Sequence, residues 1–279
     1  MRAWGEAWHT SLYGPDGFFL RERPLDHFRT NAAVPLFAEV VRRLAERVDA
    51  ALGHPDPFDV VDLGAGGGEL LAGLGEVPAR WRLTPVEVGD PVPPVTGLMV
   101  ANEYLDAVPL DVLEDGRLVL VSDSGEESLG APLSSEWADR WWPGGGRVEV
   151  GAPRDLAWAA AVARVQRGLA VAVDYGHDLT NRRPTLTGYR HGRQVPPVPD
   201  GSCDLTAHVA LDSAAAATGS AVLTQRAALR ALGVEGSFDG TAYGLERASQ
   251  AAELLDPAGL GGFGWLVREV GLPAGWMTW

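Results

Sequence analysis

Val34, Phe37, Val41, Leu44 and Val48 recur at alternating spacings of three and four, which predicts one amphipathic helix over residues 30–52. Its ends are marked: Thr30 or Asn31 can cap the first turn, Pro35 falls early enough to be tolerated, and Gly53 with Pro55 supplies the stop. Upstream, Tyr13-Gly-Pro-Asp-Gly-Phe-Phe19 has turn composition, so residues 1–53 are expected to form a loop-and-helix appendage. At Phe58 the period changes. Phe58-Asp-Val-Val-Asp-Leu63 is β-prone, Gly64 to Gly68 is a glycine loop, and Glu69-Leu-Leu-Ala-Gly-Leu74 resumes helical spacing. Further strands are predicted at 81–88, 97–101, 169–174 and 220–225, with helices at 155–167 and 204–217 and a last apolar run at 263–270. Alternation of this kind predicts an α/β fold with a mostly parallel sheet in a second domain, 54–279, and a Pro/Arg-rich insertion or lid at about 178–203.

With 279 residues, 46% of them hydrophobic, the chain can bury a substantial core. It has no apolar run long enough to span a bilayer, and Trp4, Glu6, Trp8 and His9 stand where a signal peptide needs an apolar stretch. A lone cysteine, Cys203, permits no intramolecular disulfide and suits a reducing, cytoplasmic location. The net charge is −14, and all 23 basic residues are arginine. That balance argues against a nucleic-acid partner, despite the local cluster of Arg182, Arg183, Arg190 and Arg193. The carboxylates either keep the protein soluble or steer a basic substrate.

The glycine loop narrows the chemistry. Glycines remove the Cβ obstruction, and a helix that follows presents unpaired N–H groups, so Gly64-Ala65-Gly66-Gly67-Gly68 can admit a ligand to the backbone. Glu69 stands where the dinucleotide fingerprint G-x-G-x-x-G requires its third glycine, and a carboxylate there would repel a pyrophosphate. S-adenosylmethionine has no phosphate and carries a sulfonium cation, which Asp62 and Glu69 tolerate far better than they tolerate NAD. Glu87, 19 residues beyond Gly68 at the end of the next strand, can accept hydrogen bonds from ribose hydroxyls. These features favour methyl transfer over hydride transfer.

Several blocks together resemble the MidA-type methyltransferases, a family that includes the mitochondrial complex I assembly methyltransferases. They are Tyr13-Gly, His27-Phe-Arg-Thr30 and Pro35-Leu-Phe-Ala-Glu39; Val60-Val-Asp-Leu-Gly-Ala-Gly-Gly-Gly68; Ala101-Asn-Glu-Tyr-Leu-Asp-Ala-Val-Pro109; Val173-Asp-Tyr-Gly-His177; Thr185-Leu-Thr-Gly-Tyr-Arg190; Asp204-Leu-Thr-Ala-His-Val209; and Leu223-Thr-Gln225. The resemblance implies a seven-stranded, Rossmann-like class I methyltransferase sheet with S-adenosylmethionine at the carboxyl ends of its strands. For the mitochondrial members it implies methylation of a protein arginine. Carried over, Gly64, Ala65, Gly66 and Gly68 would line the aminoacyl end of the cofactor, Glu87 its ribose, and Thr30 would touch it from the appendage. Asn102, Glu103 and Asp106 would face the sulfonium and the incoming nucleophile. One departure is plain: only nine residues separate Glu87 from Gly97, too few for the helix and third strand of that sheet. The strand before Glu87 would then be an edge, which explains Pro85 within it. A shortened sheet also leaves open a non-catalytic assembly or scaffold protein.

Methyl transfer requires an aligned nucleophile and, where that is protonated, a base. If a helical turn follows the strand at 97–101, Glu103 and Asp106 share a face and can orient a cationic amine or guanidinium; otherwise they cap the turn. Asp174, Tyr175 and His177 end another strand on the ligand side of the sheet. His208, four residues after Asp204, either forms an acid–base pair with it across a helical turn or is a partly buried histidine behind an N-cap. His177, His191 and His208 lack the spacing of a metal motif, and methyl transfer needs no metal, so none is expected. The acceptor, a protein side chain such as arginine or a small molecule, is not specified by the sequence.

Overall fold

A computed structural model describes residues 1–22, 30–235 and 241–279. The block His27-Phe28-Arg29 lies outside the described residues. Two compact units emerge: Thr30–Tyr104, Ala159–Tyr175 and Thr218–Trp279 form one; Met1–Arg29, Leu105–Trp158 and Gly176–Ala217 form the other.

The first unit is built on a six-stranded sheet of β1 (Phe58–Leu63), β2 (Trp81–Val86), β3 (Val95–Asn102), β4 (Val165–Asp174), β5 (Ala221–Thr224) and β6 (Gly264–Val270). The spatial order is β5-β6-β4-β3-β1-β2. β2, β1, β3 and β4 pair in parallel, β6 runs antiparallel to β4, and β5 antiparallel to β6. β1 is buried along its whole length, as a central parallel strand without hydrophobic alternation should be. The helix predicted at 30–52 is a 3-10 turn, Asn31–Ala33, followed by the α-helix Pro35–Ala51. Its stripe of Phe37, Val41, Leu44 and Val48 packs into one core with Phe58, Val60, Leu98, Val171 and Trp265, so this helix covers the sheet.

Among the described residues the sheet has six strands, against the seven that the family resemblance implies. Residues 87–94 join β2 to β3. Fully extended, such a connection reaches at most about 28 Å, against about 20 Å for the length of a six-residue strand. The chain can therefore return along the sheet but has nothing left for a helix. β2 pairs only with β1 and is an edge among the described residues, with Pro85 opposite Asp62, where its missing donor costs no ladder bond with a further strand.

The second unit has a five-stranded antiparallel sheet formed by Arg2–Ala3, Val112–Glu114, Arg117–Val121, Glu127–Pro132 and Arg147–Glu149. The hydrophobic pattern did not announce it. The helix Trp4–Tyr13 lays Trp4, Ala7, Trp8 and Leu12 into a core with Val112, Val119 and Val121, so the amino-terminal segment belongs to this unit. The stretch expected as a lid contains Thr187–Arg190 and Arg193–Val195, which form a three-stranded sheet with Asp204–Thr206. The helix predicted at 204–217 begins only at Leu211, because Asp204–Thr206 pairs with Thr187–Tyr189 and Val209–Ala210 pairs with Gly176–His177. The helix predicted at 155–167 spans Ala152–Val162, and Val165 already starts β4. Cys203 is buried here, its thiol 3.6 Å from the Val198 carbonyl and pushed upward in pKa chiefly by burial. Among the described residues no helix is long and apolar enough to cross a membrane.

Arg154 ties this unit together. Only 1% exposed, its guanidinium donates to the main-chain carbonyls of Val108 (3.0 Å), Ala207 (2.7 Å), His208 (2.9 Å) and Asp106 (2.5 Å). Truncating it leaves four main-chain acceptors, two of them in buried bonds, without that donor. We expect Arg154→Met to cost about 3–5 kcal/mol in stability, read as a fall in the urea midpoint. Arg154→Lys should rescue little, since an ammonium cannot reproduce the planar fork.

Candidate functional site

At the carboxyl end of β1 the ladder stops and the glycine loop begins. Gly64, Gly66 and Gly68 all have positive φ, at 77°, 56° and 79°, and the main-chain N–H groups of Gly64 and Ala65 donate to the Val86 carbonyl at 2.8 and 3.4 Å. A Cβ at Gly64 would lie 2.9 Å from the Tyr104 ring, whereas a Cβ at Gly66 or Gly68 would meet nothing within 4 Å. The loop therefore leaves open space against its own backbone at two of the three positions. Gly68 caps the short helix Glu69–Gly73 in the left-handed conformation.

Carboxylates surround that space. Asp62, at the end of β1, is 4% exposed, and its pKa is raised to about 7, first by burial and then by the charges of Glu87 and Glu69. Glu87 lies just beyond β2; its carboxylate accepts from the Gly66 N–H, which only partly offsets the rise caused by desolvation and by Asp90 and Glu69. A cluster in which burial and like charges oppose ionisation is one that a cation relieves. Thr30, buried, uses its hydroxyl oxygen as a cap acceptor for Ala33 N–H at 3.3 Å.

Glu103 follows β3 with φ of 51°, so the chain turns sharply instead of starting a helix. Its N–H donates to the Val173 carbonyl at 2.8 Å. Oε1 of its carboxylate accepts from the Asn31 main-chain N–H (2.8 Å) and from Asn102 Nδ2 (3.1 Å), and Asn31 Nδ2 donates to Asn102 Oδ1 (3.2 Å). Asn102 thus orients Glu103 with its side chain already engaged at both ends. Asp174, 1% exposed, closes β4, and Tyr175 beside it packs edge-on to Phe263 at 5.3 Å.

Asp106 and His208 belong to the other unit. No helical turn joins Glu103 to Asp106, so a shared helix face does not bring them together. Asp106 Oδ2 instead accepts from the Thr206 hydroxyl at 2.8 Å. His208 is likewise not paired with Asp204 through a helix; its N–H donates to the Thr185 hydroxyl (2.9 Å), and that hydroxyl donates to Glu149 (2.7 Å). The His208 ring lies 6.2 Å from that of His177, which packs edge-on to Trp142 at 5.5 Å. Burial, then the charge of Arg182, lowers the pKa of His177 to about 4; burial first and Arg183 next lower that of His208. Both are neutral imidazoles at neutral pH. Among the described residues no group of three His, Cys, Asp or Glu side chains could hold a metal ion.

Sequence reasoning missed Arg154, Glu149 and Thr206, which hold Asp106 and His208, and it missed Gln225, whose Nε2 donates to Asn31 Oδ1 at 2.9 Å. The available signal was that Thr185, Thr206 and Gln225 all stand inside the blocks that carry the family resemblance.

Known proteins are similar to this chain in sequence pattern and in fold. The chain matches the family model described as "Putative S-adenosyl-L-methionine-dependent methyltransferase" over residues 75–227. Among solved structures it is similar to a COG1565 superfamily member from Burkholderia thailandensis bound to S-adenosyl-homocysteine, with 23% identity and a TM-score of 0.76 over 98% of this chain and 88% of that one. A native structure of a COG1565 superfamily protein from the same organism gives 22% identity and a TM-score of 0.74 over the same shares. No curated protein sequence matches. The fold is thus that of an α/β methyltransferase, and S-adenosylmethionine, expected from the glycine loop, is the cofactor of the family. With more than half of its length matched, the chain belongs to this family of S-adenosylmethionine-dependent methyltransferases.

Proposed function

We propose that the protein transfers a methyl group from S-adenosylmethionine to a nucleophile on a protein side chain, such as arginine, or on a small molecule. The observation that carries this is the glycine loop set among Asp62, Glu69 and Glu87: open backbone for a close-lying ligand, and acidic groups that favour a cation over a phosphate. The cofactor, when bound, supplies a methyl already activated by the sulfonium. Gly64, Ala65, Gly66 and Gly68 would admit its aminoacyl end, Glu87 its ribose hydroxyls, and Asp62 would lie beneath the loop as a countercharge. Asn102 holds Glu103, whose carboxylate would orient a cationic or hydrogen-bonding acceptor and take up its proton. Thr30 completes the turn that positions Asn31. Asp174, which closes β4 in the same unit, would bound the acceptor's surroundings.

Isothermal titration with S-adenosylhomocysteine tests the assignment. Micromolar binding by the wild type, about −8 kcal/mol, is expected to vanish in Gly66→Arg and to weaken at least about tenfold, 1.4 kcal/mol, in Glu87→Ala. Folded wild-type protein that fails to bind would sink it.

Asp62 yields a pH prediction. Its folded pKa, about 7, lies above the ordinary value of 3.8, so the native state holds the proton more tightly than the unfolded one. Stability must then fall as pH rises from about 4 to 7 and level off above. Asp62→Asn removes this loss: its unfolding free energy from urea titration should exceed that of the wild type at pH 8 by as much as about 4 kcal/mol, and the gap should close by pH 4. Conversely, cationic S-adenosylmethionine should bind the wild type more tightly at pH 8 than at pH 5.5, with proton release seen by titration in buffers of differing ionisation heat. Equal affinity at both values would remove Asp62 from the site.

A further inference from the structure

Four side-chain hydrogen bonds run end to end through the sheet unit. Trp265 Nε1 donates to Gln225 Oε1 (3.1 Å), Gln225 Nε2 to Asn31 Oδ1 (2.9 Å), Asn31 Nδ2 to Asn102 Oδ1 (3.2 Å), and Asn102 Nδ2 to Glu103 Oε1 (3.1 Å). All point the same way, and the two ends fix that direction. An indole can only donate and a carboxylate can only accept, so the three amides between them have one self-consistent orientation. Gln225 and Asn31 are fully buried, Trp265 is 1% exposed and Asn102 9%, so water is kept from the chain as far as the half-buried Glu103.

We propose that Gln225 is a positioning residue for Glu103, acting through Asn31 and Asn102, with the Trp265 indole as the terminal donor. Aligned amides polarise one another, which strengthens the last bond in the series. Asn31 also donates its main-chain N–H to the same oxygen, Glu103 Oε1, so one residue delivers both the relay and a direct contact. The carboxylate plane is thereby fixed from a point 194 residues away in sequence from Asn31. Gln225 additionally reaches the Leu254 carbonyl at 3.3 Å, anchoring the relay to the helix Ala242–Leu255. The catalytic consequence rests on Glu103 meeting the methyl acceptor; the relay itself does not.

Amide and indole resonances of the 15N-labelled full chain, without ligand, read the relay directly. Trp265→Phe assigns the indole proton and Gln225→Met the amide. In Glu103→Gln, which alters only the accepting end, the Trp265 indole and Gln225 amide protons should both move upfield, showing weaker hydrogen bonds. Placed in a Gln225→Met background, Glu103→Gln should leave the Trp265 indole where it was. A Trp265 signal that ignores Glu103→Gln in otherwise wild-type protein overturns the proposal. So does a Trp265 response that persists in the Gln225→Met background. Because no cofactor is needed, failure of the relay and failure of S-adenosylhomocysteine to bind are separate results.

Discussion

Every strand in a parallel sheet ends at the same edge, and there the backbone loses its ladder partners all at once. The chain must find other acceptors and donors for those groups or leave them buried and unpaired. In this protein the need is met by neighbouring strand ends: Gly64 and Ala65 donate to Val86, and Glu103 donates to Val173. Turning so sharply while keeping those bonds demands left-handed backbone at Gly64 and again at Glu103. For glycine that conformation is free of a Cβ penalty; for Glu103 it carries one. The site is thus a consequence of how parallel strands terminate, with its chemistry drawn from the side chains at those positions.

Charge then sorts what such an edge can hold. The loop's backbone alone would suit a phosphate as well as any other ligand. Asp62, Glu69 and Glu87 oppose that preference: Asp62 is pushed to about 7, first by its burial and then by the charges of Glu87 and Glu69. A protein with 37 acidic residues against 23 arginines extends the same bias beyond the loop. The arginines are not surplus either. Arg154 is consumed by main-chain carbonyls, and Arg182 pairs with Asp212 while lying 5.7 Å over Trp142. An apparent basic cluster in the sequence is therefore partly internal structure.

What the sequence disclosed followed from local periodicity. The helix over Pro35–Ala51 and the strands β1 to β4 carry uninterrupted patterns, and the short connection after Glu87 foretold an edge strand. The second unit was hidden in part because its chain comes from three separate stretches and three of the five strands of its larger sheet are only two or three residues long, with no period to detect. Ala207 to Ala217 has helical composition, but the helix does not reach back to Asp204, because pairing with Thr187–Tyr189 claims that backbone first. Tertiary hydrogen bonding overrode propensity there. The glycine loop, Glu87 and Glu103 were legible because their residue types are chemically distinctive; Gln225 was not, since a glutamine at the junction of β5 and the helix Gln225–Ala231 looks like any helix start.

The blocks that carry the family resemblance divide into two physical kinds. Some residues line open space, as Gly66 and Gly68 do, and their identity is dictated by what must approach the backbone. Others, such as Thr185, Thr206 and Gln225, touch no such space; they spend their hydrogen bonds on Glu149, Asp106 and Asn31. For this second kind, polarity matters more than size. Replacing a buried amide in a series with defined ends by an apolar group of equal volume preserves packing yet strands a donor on one side and an acceptor on the other. Motif residues of this sort are therefore constrained by the direction of a hydrogen-bond chain.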